Sequence, residues 1–166
     1  VGADLPAFEQ KNGMDILYRG ESPDILLVSV GAMAHLSVEA AAGAYREGVG
    51  VTVVDPRWVK PLPIDSLARM ASRYSHCVVI EDGITHAGIA STLSEEFRRR
   101  DISIPIHSIG VPLTYIEHSK RGEILSDIGM SSQNITRQLV TWMSGGSKQG
   151  VTQLRVDESV DPRPSR

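Results

Sequence analysis

The amino-acid sequence predicts an α/β fold, a three-layer α/β/α sandwich around a mostly parallel five-stranded sheet with one antiparallel edge strand. Three observations predict it. Short apolar runs alternate in order with helix-length stretches, and three strand-helix units in succession require parallel strands joined by right-handed crossovers, which place helices on both faces. The first of these runs, Ile25-Leu26-Leu27-Val28-Ser29-Val30, is apolar at consecutive positions, as in a strand buried on both sides. The strand candidate ahead of the first unit, Met14-Asp15-Ile16-Leu17-Tyr18, alternates instead and is placed antiparallel at an edge.

In chain order, residues 1–22 read as a linker arm, punctuated by Pro6, Gly13 and Gly20 and carrying that edge strand. Residues 23–144 read as one domain. Its first strand, 25–30, stops at Gly31; an Ala-rich helix over 34–47 follows, with Leu36, Ala40 and Ala44 at helical spacing and Gly48 as its stop. The alternation repeats as strand 51–54, helix 64–74, strand 77–80, helix 89–99 and strand 104–109, the last demoted toward an edge by Pro105. Helices over 120–128 and 133–143 close the domain, the second with Ser132 as candidate cap and Ile135, Leu139, Trp142 and Met143 as a core stripe. Residues 145–166 are polar, Gly-rich and then Pro-rich, and are expected to be a disordered tail.

Composition narrows the function classes. A chain of 166 residues buries roughly 70% of its unfolded surface and needs no disulfide or structural metal. Its single cysteine, Cys77, lies in an apolar run and reads as a small core residue of a cytoplasmic protein. No apolar run approaches the length of a membrane span, and no signal segment opens the chain. Seventeen Lys and Arg against 20 Asp and Glu, with no basic stripe and few aromatics, exclude a nucleic-acid partner. The run Arg98-Arg99-Arg100 falls at a predicted helix end, where cations complement the dipole. The first residue is Val1, which reads as a piece of a longer polypeptide.

Ligands of open parallel sheets collect at the carboxyl ends of the strands, so three loops are weighed for chemistry. Gly31-Ala32-Met33-Ala34-His35 has one glycine where a dinucleotide loop needs three, and no Gly-Lys-Ser/Thr for a phosphate. The loop 55–63 fixes its backbone with Pro56, Pro61 and Pro63 while Asp55, Arg57 and Lys60 offer charge; Arg57 is either an anion clamp or, as favoured here, a structural or interdomain contact. The third loop, Glu81-Asp82-Gly83-Ile84-Thr85-His86-Ala87-Gly88, brings two acids and a histidine to a strand end without metal-ligand spacing, and Glu81 is expected to pair with Arg57. His35, His76, His107 and His118 are scattered, with no triad order. No catalytic, cofactor-binding or metal-ligating residue is assigned; Asp55, Arg57, Glu81, Asp82 and Gly88 are the candidate structural or interdomain contacts.

Taken in order, Asp24-Ile25-Leu26-Leu27-Val28-Ser29-Val30-Gly31, the stretch from Gly50 through Asp55-Pro56-Arg57-Trp58-Val59-Lys60-Pro61-Leu62, Val78-Val79-Ile80-Glu81-Asp82-Gly83, Ile109-Gly110-Val111-Pro112, Glu117-His118 and Ile124-Leu125-Ser126-Asp127-Ile128-Gly129-Met130 resemble the carboxyl-terminal domain of 1-deoxy-D-xylulose-5-phosphate synthases in their actinobacterial form, a branch of the transketolase superfamily. The resemblance runs from about residue 1 to 144.

It implies a parent enzyme that depends on thiamine diphosphate and magnesium and condenses pyruvate with glyceraldehyde 3-phosphate, releasing carbon dioxide and feeding isoprenoid, thiamine and pyridoxal synthesis. The cofactor does the carbon chemistry and is held by two upstream domains, whose Gly-Asp-Gly motif is absent here. The implied role of this domain is structural, at contacts with the upstream domains of the same polypeptide and within a homodimer, and the fragment alone is expected to be inactive. The alternatives are the same domain of another transketolase-like or pyruvate dehydrogenase beta-type subunit, or a stand-alone small-ligand binding domain. One departure stands out: a glycine-rich Gly-Gly-x-Gly-Ser turn of the family reads Ala87-Gly88-Ile89-Ala90-Ser91, whose added side chains restrict close backbone approach.

Overall fold

Strands apolar at every position must be covered on both sides, and the arrangement of the chain follows from that requirement. In the computed structural model, which describes residues 9–11, 13–85, 87–112, 124–125 and 128–145, the strands are β1 (Glu9–Lys11), β2 (Met14–Tyr18), β3 (Ile25–Val30), β4 (Val51–Asp55), β5 (His76–Ile84) and β6 (Ile106–Val111). The helices are α1 (Ala34–Arg46), α2 (Ile64–Ala71), α3 (Ile89–Arg99) and α4 (Ser132–Met143). The sheet order is β1-β2-β4-β3-β5-β6, with β4, β3, β5 and β6 parallel and β2 antiparallel to β4.

Alternate residues of each buried strand enter opposite layers. Ile25, Leu27, Val51, Val53, Val78 and Ile80 pack under α1 and α4 with Ala40, Ala44, Ile135 and Leu139. Leu26, Val28, Val54, Cys77 and Val79 pack under α2 and α3 with Leu67, Leu93 and Phe97. This is the expected α/β/α sandwich. The Ala-rich composition of α1 lets it approach α4 closely: a Cβ on Gly43 would lie 2.5 Å from Thr136 Oγ1, and that hydroxyl donates to the Ala40 carbonyl at 3.1 Å. Buried hydroxyls are paired, Ser37 with Ser29 at 3.0 Å and Thr52 accepting from the Gly20 N–H at 3.1 Å.

Several boundaries differ from the sequence reading for local reasons. A short strand, β1, pairs antiparallel outside β2, with Lys11 opposite Met14 and Gly13 at φ 79°. Pro105 precedes β6, where its carbonyl accepts from the Cys77 N–H at 2.9 Å. Helix α2 ends at Ala71, after which Arg73 and Tyr74 donate three residues back in tight turns. The cap of α4 is Ser131, whose hydroxyl accepts from the Asn134 N–H at 3.3 Å. The expected helix over 120–128 lies largely outside the described residues, apart from a terminal turn closed by Met130 N–H on the Leu125 carbonyl at 2.7 Å, with Gly129 at φ 79°. All of the expected tail except residue 145 also lies outside them. The run Arg98-Arg99-Arg100 is laced to acids: Arg98 and Arg99 each reach Glu95 at 2.9 Å, and Arg100 pairs with Glu96 and with Asp65 at 3.0 Å.

The fold brings together two histidines that the sequence left scattered. His76 Nδ1 lies 3.1 Å from His107 Nε2, and the His107 ring stacks on Trp142 with centroids 4.2 Å apart and an interplanar angle of 14°. Burial first, and the neighbouring His76 second, hold the His107 imidazole below the ordinary histidine range. The folded chain therefore favours neutral His107, so its contribution to stability is complete above the unfolded value of about 6.5 and is lost as pH falls below it. We expect the urea midpoint to drop between about pH 7.5 and about pH 5.5, and the drop to be smaller in His107→Gln. An unchanged pH slope in that variant would refute the assignment.

Candidate functional site

Polar chemistry gathers at the carboxyl edge of the parallel strands. In the loop after β4, the Asp55 carboxylate accepts from the Arg57 N–H at 2.8 Å, an Asx turn that Pro56 pre-shapes. The Trp58 N–H donates to the Pro56 carbonyl at 2.5 Å, and Arg57 at the centre of this tight turn has φ 55°, a sparsely populated conformation for a side-chain-bearing residue. The Lys60–Pro61 bond is cis. The turn aims the Arg57 guanidinium back at β2, where its Nε donates to Asp15 Oδ2 at 2.5 Å. Asp15 stands directly opposite Asp55 in the β2–β4 ladder, so two carboxylates flank one cation. The hydrogen bond to Asp15 is the main influence raising the Arg57 pKa, partly opposed by burial.

Near the end of β5, which runs on to Ile84, a bulge sets the geometry. Ile80 pairs with Ile109 and Ile84 with Val111, so residues 81–83 oppose Gly110 alone. A Cβ on Gly110 would lie 2.7 Å from the Gly83 carbonyl oxygen, which is why only glycine fits there. The bulge leaves Glu81 8% exposed, its Oε2 accepting from the Ile89 N–H at 3.3 Å. Helix α3 has no acid in its first turn and no side-chain cap, so Glu81 supplies the anion its N-terminus favours. Gly88 makes room for it: a Cβ there would lie 2.6 Å from the Glu81 carboxyl carbon. Ala87, where the resembling family has glycine, stands at φ 61°.

The expected Glu81–Arg57 pair is corrected by this geometry. Strand β3 lies between β4 and β5, which separates their ends by two strand spacings, roughly 10 Å, whereas β2 adjoins β4 directly. Arg57 therefore meets Asp15, a residue the sequence reading missed, and Glu81 meets the backbone of α3. Asp55 and Gly88 each sit at the contacts just described, and Asp82 is exposed on the bulge. The loop after β3 turns through Gly31 (φ 71°) into a short 3-10 turn and α1, with His35 and Glu39 paired at 3.0 Å on the surface. Cys77 is buried and its thiol is pushed up to about 12 by burial, the profile of a core residue and no nucleophile. Among the described residues no group of three or more His, Cys, Asp or Glu is placed to hold a metal.

Apolar side chains complete the edge. Trp58 is 67%, Val59 45% and Ile84 48% exposed, the first two on the loop that holds Arg57 and the third at the end of β5, past Glu81. At the same edge Asp15 Oδ1 and Glu81 Oε1 are buried without a hydrogen-bond partner among the described residues. The edge is thus part apolar and bordered by charge.

The sheet order and layers are those of transketolase carboxyl-terminal domains. The chain superposes on "Split gene transketolase, inactive beta4 tetramer" with a TM-score of 0.70 at 23% identity, over 81% of this chain and 44% of that one. It superposes on the transketolase of Campylobacter jejuni subsp. jejuni with a TM-score of 0.57 at 16% identity, over 84% and 20%. Residues 15–135 match the family described as "Transketolase, C-terminal domain", and the chain belongs to that family. Among curated relatives, the 1-deoxy-D-xylulose-5-phosphate synthase of Mycolicibacterium gilvum is 39% identical over 165 residues, 97% of this chain and 25% of the relative. The protein of the same name from Rhodococcus jostii is 38% identical over 147 residues, 87% and 22%. The chain thus spans about a quarter of the length of the curated relatives it matches.

Two predictions test the site. Arg57→Gln leaves the buried Asp15 carboxylate without its cation and should lower the midpoint of chemical denaturation, with the double variant Asp15→Asn/Arg57→Gln recovering most of the loss; additive losses would show that the pair is not coupled. Gly88→Ala should lower the thermal midpoint by forcing the Glu81 carboxylate from the start of α3, and Glu81→Ser should absorb that penalty. Equal penalties for Gly88→Ala with and without Glu81 would mean that the clash lies elsewhere.

Proposed function

We propose that this chain is the carboxyl-terminal domain of a 1-deoxy-D-xylulose-5-phosphate synthase and that its carboxyl edge docks on the rest of that enzyme. The observation that carries the reading is the near-complete match of the chain, at 39% identity, to a curated protein of that name. The exposed Trp58, Val59 and Ile84, together with two buried carboxylate oxygens that lack partners among the described residues, support the docking role. On this reading the parent is a cytoplasmic homodimer that condenses pyruvate with glyceraldehyde 3-phosphate, releases carbon dioxide, and feeds isoprenoid and thiamine synthesis. No helix of the described residues is long and apolar enough to cross a membrane, which is compatible with it.

The residues of this chain do not fit the cofactor. Thiamine diphosphate with magnesium needs a diphosphate and metal motif, and no Gly-Asp-Gly occurs among the 166 residues. The reading therefore assigns the cofactor to upstream domains, where it supplies the carbon chemistry. The contribution of Asp55, Arg57, Glu81, Asp82 and Gly88 is to hold two loops in the shape that the neighbouring surface meets.

The parent polypeptide should release carbon dioxide from pyruvate only with glyceraldehyde 3-phosphate, thiamine diphosphate and magnesium all present. In that polypeptide Trp58→Glu/Val59→Glu should cut turnover or dimerisation by about tenfold or more, while leaving the unfolding midpoint of the isolated 166-residue chain unchanged. Stoichiometric binding of thiamine diphosphate by the isolated chain in calorimetry would overturn the assignment of the cofactor to other domains.

A further inference from the structure

A groove between β2 and α2 combines two features that the carboxyl-edge loops do not use. Its floor is apolar, made by Met14 and Ile16 of β2 and by Met70 and Tyr74 from α2 and the turn after it. Its rim carries three guanidinium groups, Arg19, Arg69 and Arg73, and none of its lining residues is an acid, although the chain as a whole has a net charge of −3. Arg69, in the last turn of α2, and Arg73, in the turn after it, are both exposed and line the same opening. Among the described residues, Arg69 donates to Ser66 Oγ at 3.3 Å, and Arg73 forms no ion pair. Helix α2 returns against the direction of the parallel strands, so these arginines lie toward the amino-terminal edge of the sheet, away from Arg57 and Glu81.

We propose that this groove binds a small phosphoester with a short hydrocarbon body, the phosphate on Arg69 and Arg73 and the hydrocarbon on the Met14, Ile16, Met70 and Tyr74 floor. A single carboxylate is satisfied by one bidentate guanidinium; several guanidiniums around one opening match a dianion with more acceptor oxygens. The two methionines give a floor that adapts to an aliphatic chain of irregular shape. The cavity of about 230 Å³ is smaller than the range typical of drug-sized ligands, which sets the body as short and leaves no room for a folded partner.

The test uses the full chain with carbon-13 label in its methionine methyls, titrated with pentyl phosphate, inorganic phosphate, pentanoate and pentanol. Pentyl phosphate should shift the Met14 and Met70 methyls and leave Met33 and Met130, both buried in the opposite layer, unmoved. It should bind about tenfold or more tightly than each of the other three probes. Arg69→Gln/Arg73→Gln changes only exposed side chains; it should weaken pentyl phosphate about tenfold or more with an unchanged thermal midpoint. Equal affinity for inorganic phosphate would reduce the groove to a patch of surface charge and overturn the proposal. So would equal affinity for pentanoate, unmoved Met14 and Met70 methyls, or an unweakened double variant. Binding that appears only after residues 1–8 are removed would also overturn it, by making the chain's own amino-terminal segment the occupant.

Discussion

Burial of the central strands on both faces is the constraint on which the rest of this structure depends. Along β3, β4 and the first part of β5 nearly every side chain enters one apolar layer or the other, so a charge placed mid-strand would lose its hydration with nothing to replace it. The polar exceptions, Ser29 and Thr52, are hydroxyl groups with a partner each. Charge is therefore confined to the strand ends. The two buried acids obey this rule at the same edge: Glu81 follows the last buried apolar residue of β5, and Asp15 is the second residue of β2, which starts at the carboxyl edge because it runs antiparallel.

These two acids are stabilised by different means. Asp15 faces a like charge across the ladder in Asp55, and Arg57 offsets both, one through its backbone and one through its guanidinium. Among the described residues Glu81 has no cation in an ion pair with it; it rests on the first backbone N–H of α3, in a space that exists because residue 88 is glycine. The first arrangement ties the edge strand β2 to the loop after β4. The second ties the end of β5 to the helix that follows it. Between them they fix the loops on either side of β3, the point where the order of the parallel strands reverses and where open α/β sheets present their functional surface.

The order of strands and helices was legible in the sequence because period and punctuation are local properties: the consecutive apolar runs, Gly48 after α1 and the spacing of Ile135 and Leu139 each carry their meaning within a dozen residues. The Arg57 partner was not legible in the same way, since adjacency in the sheet does not follow adjacency in the chain. Asp15 still left a signal, an acid inside an alternating strand, a place where aspartate is depleted unless something neutralises it. The strand β1 left a stronger one, the dipeptide Asn12-Gly13 directly before Met14, a favoured two-residue hairpin turn. The His76–His107–Trp142 stack has no local trace, because its three rings come from β5, β6 and α4 and meet only after the sheet has formed.

Backbone strain marks the same two loops. Among the described residues, Arg57, Ala87 and Asp101 are the non-glycine residues at positive φ, and the first two belong to the loops that expose Trp58 and Ile84. A conformation of this kind costs of order 1–3 kcal/mol and persists only where its surroundings over-determine it. Those surroundings are visible: Asp55 and Asp15 hold Arg57 from both sides, while Gly88, which cannot accept a Cβ, fixes the residue before it. A loop held in that way has already given up most of its freedom before any partner arrives. For the docking proposed above, the ordering cost of association is correspondingly small, so the exposed apolar side chains would contribute more of their burial to binding.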